Sequence, residues 1–80
     1  MTNNANRPIY LVAAEIKQTW TKPYFGAVLY LQAMLTLTNA DDTYGYDSAS
    51  SIVNYFLANA STFRGEDAKR LKAELKQIIQ

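Results

Sequence analysis

The sequence predicts an all-α fold, a compact single-domain bundle of about four helices arranged around a central apolar second helix. Three observations predict it. Four segments place apolar residues three and four apart, and no segment alternates apolar with polar residues as a strand would. The stretch from Lys22 to Leu37 is apolar or aromatic beyond Pro23 except at Gln32 and Thr36. Eighty residues make one domain, 1–80, of a size that buries only about 60–65% of the unfolded chain's surface. The composition offsets that thin margin with 49% hydrophobic residues, among them six Tyr, three Phe and one Trp.

Residues 1–6 are polar and read as a disordered end. They lack the basic-then-apolar pattern of a signal peptide, which places the chain in the cytoplasm. Asn6 is the expected cap of a first helix over about 7–20, with Pro8 in its opening turn. Ile9, Val12, Ala13, Ile16 and Trp20 form its inward face. Leu11 points nearly the opposite way from Ile9 and is a candidate contact residue.

The second helix is expected over about 22–38, with Thr21 as cap, Pro23 in the first turn and a sharp two-residue joint before it. Its apolar run is too short for the roughly 20 residues that span a bilayer, so it reads as a core helix and no membrane role is expected. Gly26 is expected where a neighbouring backbone approaches closely. The next eight residues, Asn39 to Tyr46, have the composition of a loop, with Tyr44 and Tyr46 expected to fold back over the core or to offer hydroxyls to a partner. Asp41 and Asp42 do not fit a calcium loop, because the glycine stands at the wrong offset and no glutamate closes twelve residues.

A third helix over about 47–62 begins at Asp47 or Ser48 and has the clearest amphipathic pattern in the chain, through Ala49, Ile52, Val53, Phe56, Leu57 and Ala60. Tyr55 is the one large group on its outer side. Ser61 to Gly65 breaks the pattern, and a fourth helix over about 65–80 starts with Glu66 and Asp67, where the helix dipole favours acids. Ala68, Leu71, Leu75, Ile78 and Ile79 form its inward stripe. Its charges are sorted: Lys69, Lys72 and Lys76 share one flank, while Asp67 and Glu74 share the other. Lys72 and Lys76 repel at this spacing, so helix stability alone would not select the pattern.

Two blocks carry a resemblance. The first is Lys22 to Val28 with Tyr30, Leu31, Ala33 and Met34; the second runs from Tyr44 to Ala49, through Ser51 to Ala60, to Arg64-Gly65-Glu66. They resemble a family of small uncharacterised proteins carried by phages, plasmids and conjugative elements of Gram-positive bacteria. The resemblance implies a cytoplasmic accessory protein of a mobile element and implies no activity. This chain has Leu29 where members of that family often have Pro, and Phe63 where they often have Trp.

The chain has no cysteine and no histidine, which excludes a disulfide scaffold, thiolate or imidazole metal sites, and catalysis that needs either residue. No carboxylates pair within an apolar stripe, so no catalytic residue, metal ligand, cofactor or small-molecule ligand is assigned. The reading that remains is a protein-binding or self-associating module, partnered by another protein or by a second copy, with Leu11, Tyr44, Tyr46 and Tyr55 as contact residues. The alternative is a weak nucleic-acid-binding module that uses Arg64, Lys69, Lys72 and Lys76 on the basic flank of the last helix. A net charge of +1 gives that alternative no support from bulk electrostatics.

Overall fold

The structure, a computed structural model, describes residues 6–80. The disordered end expected at 1–6 lies outside the described residues apart from Asn6. The helices are α1 (Ile9–Thr19), α2 (Phe25–Met34), α3 (Ala49–Ala58) and α4 (Glu66–Ile78). Between α2 and α3 stands a two-stranded antiparallel ladder, β1 (Thr43–Tyr44) and β2 (Asp47–Ser48), in which Thr43 faces Ser48 and Tyr44 faces Asp47. The sequence reading contained no strand there. A ladder this short is too brief to show a period-2 pattern, and the turn itself is made by Gly45 at φ 64°.

The helices are shorter than the sequence predicts, because their caps differ. Pro8 precedes α1, and its first amides are met from a distance: Ile9 N–H donates to the Thr38 carbonyl and Tyr10 N–H to the Leu37 carbonyl, both at 2.9 Å. Asn6 is therefore not the cap, and the residues just beyond α2 satisfy the start of α1. That arrangement sets α1 and α2 antiparallel. Residues 20–24 join them, in place of the two-residue joint. Tyr24 occupies the cap position of α2 with no side-chain cap, so Thr21 has no capping role and Pro23 stands ahead of the helix. At α3 the expectation holds at Ser48, whose hydroxyl accepts from the Ser51 amide at 3.1 Å.

α1 packs between α2 and α4, and α3 packs on α2 and touches α4. Every buried residue among those described is apolar. At the centre Trp20 stacks on Phe63, with ring centroids 5.0 Å apart, and meets Phe56 edge-on at 6.1 Å and 78°. Phe63 comes from the 61–65 joint and Trp20 from just beyond α1, so this stacked pair of core residues lies outside the helices.

The expectation that the apolar run of α2 is core holds for only part of its surface. Ala27, Leu31, Ala33 and Met34 are buried, but Phe25 is 81% exposed and Leu29 74% exposed. Four short helices do not supply enough surface to surround one of their own number, so one side of α2 faces water. Gly26 also differs from expectation, since the nearest neighbours over it are the ring of Tyr24 and the side chain of Asn59 in place of a neighbouring helix's backbone. Among the described residues no helix is long and apolar enough to cross a membrane.

Ion pairs clip α1 to α4. Arg7 grips Glu74 with two bonds of 2.7 Å and reaches Glu15 at 3.0 Å, while Arg70 bonds Glu15 at 2.5 Å and Asp67 at 3.2 Å. Hydrogen bonds from Arg7 hold Glu74 below the ordinary carboxylate range against the opposing effect of partial burial. Arg70, then Arg7, lower Glu15 in the same way. A depressed folded-state pKa gives stability that is present above the unfolded value, about 4.3 for Glu, and is lost as pH falls through the folded value. The urea midpoint is therefore expected to fall as pH drops below about 5. Glu74→Gln should cost roughly 0.5–1 kcal/mol at neutral pH and flatten that decline, and an unchanged acid profile would contradict the clip.

Candidate functional sites on α2 and α4

Two surfaces stand out. The first is the outward face of α2, where Phe25, Leu29 and Gln32 follow one another at spacings of four and three, with Thr36 just beyond the helix end four residues on, all exposed. The ring of Tyr24 lies 4.9 Å from that of Phe25 and widens the apolar end of the stripe. No residue of α2 carries a charge. Ionic repulsion and ionic attraction are both absent there, and its two largest side chains are apolar.

The four contact residues named from the sequence sit on separate elements. Leu11 is exposed on α1, as expected. Tyr44 is half-exposed and Tyr46 fully exposed at the hairpin, so neither folds back over the core. The ladder turns the Gly45-Tyr46 tip away from the helices, which is the physical reason for that correction. Tyr55 of α3 lies against Tyr30 of α2 with ring centroids 5.5 Å apart, and this contact takes up one face of its ring. Among the described residues no aromatic pair joins Tyr55 to the hairpin tyrosines. Phe25 and Leu29, the most exposed helical apolar groups, were missed by the sequence reading.

Of the two loop acids, Asp42 has a local structural role. The Asp42 carboxylate accepts from the amides of Thr38 at 2.7 Å and Asn39 at 3.2 Å, and the Asp42 carbonyl accepts from Ala49 N–H at 2.8 Å. These bonds shape the turn that leads into the hairpin and α3.

The second surface is the basic flank of α4. Arg64, Lys69 and Lys72 line one open cleft of about 340 Å³ with Phe63, Gly65 and Ala68, so the structure gathers three of the four named cations. Lys72 donates to the Phe63 carbonyl at 2.7 Å, with its ammonium 5.7 Å from the centre of the Phe63 ring. Partial burial, and then the charges of Lys76 and Arg64, push its pKa below the ordinary lysine value.

Compared with protein-family models, curated proteins and solved structures, the chain matches none, so a functional reading has to rest on these two surfaces.

Proposed function

We propose that the chain is a protein-interaction module that self-associates through the outward face of α2, serving as a cytoplasmic accessory protein of a mobile element. The observation that carries it is the exposure of Phe25 and Leu29, one turn apart on a helix without charge. An uncharged face offers a charged partner nothing to recognise, and it meets its own copy across a twofold axis without opposing like charges. The i, i+4 pair of large apolar groups suits a helix-on-helix contact in which each helix packs its ridge into the other's groove. The mobile-element setting is supported by the sequence resemblance alone.

A binding role is favoured over a catalytic one by what the acids do. Glu15, Asp67 and Glu74 are engaged by arginines, and Glu15 and Glu74 are held in the charged form, which weakens them as bases.

Sedimentation at tens of micromolar tests the reading. The wild type is expected to run as a dimer, and a Phe25→Glu/Leu29→Glu variant as a monomer with the same helical circular dichroism, since both side chains already face water. A wild type that stays monomeric, or a variant that still dimerises, would overturn it.

A further inference from the structure

We propose a second binding surface: the cleft at the start of α4, together with the lysine strip that continues from it, holds the phosphate backbone of duplex nucleic acid without reading its sequence. The inference rests on a face other than that of the proposed self-association.

The first ground is how the charges are divided. Arg7 and Arg70 are bound by Glu15, Asp67 and Glu74 on one side of α4. Among the described residues, Arg64, Lys69, Lys72 and Lys76 have no carboxylate within ion-pair distance. A chain of net charge +1 thus places four uncompensated cations on one flank.

The second ground is the shape of that flank. Arg64, Lys69 and Lys72 converge on the open cleft, and Lys76 follows one turn beyond Lys72. Lys72 spends one of its three N–H donors on the Phe63 carbonyl, which fixes the ammonium at the cleft wall and leaves two for a ligand. The crowding of Lys72 by Lys76 and Arg64 is repulsion that an anion would relieve. Arg64, Lys69 and Lys76 are exposed; Arg64 Nε donates to the Ser61 carbonyl at 3.4 Å, which leaves its other N–H groups for a ligand. From Lys69 to Lys76 the helix rises about 10 Å, which matches the axial length of about three phosphate-to-phosphate steps on one strand.

The third ground concerns what the surface lacks. Base readout needs a side chain on this flank that can reach a groove edge; of the two candidates on α4, Arg70 is held by Glu15 and Asp67, and Gln77 is exposed but stands on the helix away from the lysine flank. Stacking on unpaired bases needs an exposed ring, and Phe63 is buried. Only phosphate contacts remain, and these carry no sequence information.

Titration of labelled duplex DNA at low salt tests the proposal. Neutralising three or four phosphates gives a slope of about −3 in log K against log salt, so a rise from about 50 to 200 mM should weaken binding about 60-fold. Two duplexes of unrelated sequence should bind equally. Arg64→Glu/Lys69→Glu/Lys76→Glu, which leaves the anchored Lys72 in place, should abolish binding while helicity and unfolding midpoint stay unchanged. If that variant is destabilised, Lys69→Gln/Lys76→Gln is expected to lower both affinity and slope. No binding by the wild type, wild-type affinity in a folded variant, or a clear preference for one sequence would overturn the proposal. So would capture by phosphatidylserine vesicles without binding to duplex, or full competition by millimolar inorganic phosphate.

Discussion

Phe56→Ala is expected to lower the free energy of unfolding by about 3–5 kcal/mol, a large part of what a domain of this size possesses. Phe56 is fully buried, and it meets the edge of Trp20, which in turn stacks on Phe63. Truncation removes the ring and leaves a void between α3 and two joints that no helix can move in to fill. The single tryptophan sits in that cluster, so a urea titration followed by its fluorescence reads the site directly. A loss below about 1 kcal/mol would mean that the aromatic cluster does not hold the bundle. Leu35→Ala is expected to cost less than Leu31→Ala, because Leu35 is only partly buried.

Gly65→Ala carries the second large effect, about 1–3 kcal/mol, and it comes from the backbone alone. Gly65 starts α4 at φ 108° and ψ −179°, a conformation that side-chain-bearing residues avoid. A Cβ there would meet no neighbouring atom, so steric crowding by other residues makes no contribution. Gly45→Ala, at φ 64°, lies in a less costly region and on an exposed tip, so it should be the milder of the two changes. Equal midpoints for wild type and Gly65→Ala in thermal unfolding would contradict the strained cap.

Much of the fold was legible because its determinants are local. Ser48 as a cap, the stripe of α3 and the acids at the start of α4 depend on residues within a few positions of one another. What escaped was non-local. The start of α1 is capped by carbonyls about 28 residues away, a partner no local pattern encodes. Phe63 is a lone aromatic among polar residues, and only the meeting of two joints makes it core.

The candidate site on α2 was legible in part. Gln32 and Thr36 mark the side of α2 that faces water, and counting back along the same stripe reaches Leu29 and Phe25. An apolar run interrupted only at Gln32 and Thr36 reads as a core helix throughout, and that reading hides the two apolar residues that share the exposed stripe. On α4 the sorting of charge was visible at once, because cations and acids repeat on opposite flanks. The cleft was not visible, since it needs the 61–65 joint to fold beside the first turns of the helix.

The most direct measurement uses the absence of cysteine from the chain. Phe25→Cys, Leu29→Cys and a control, Gln77→Cys on the exposed side of α4, each introduce one thiol. Under mild oxidation the account predicts rapid disulfide-linked dimers from position 25 or 29, where a twofold contact brings like residues together, and slow ones from position 77. Equal, slow cross-linking at all three positions would contradict self-association through α2.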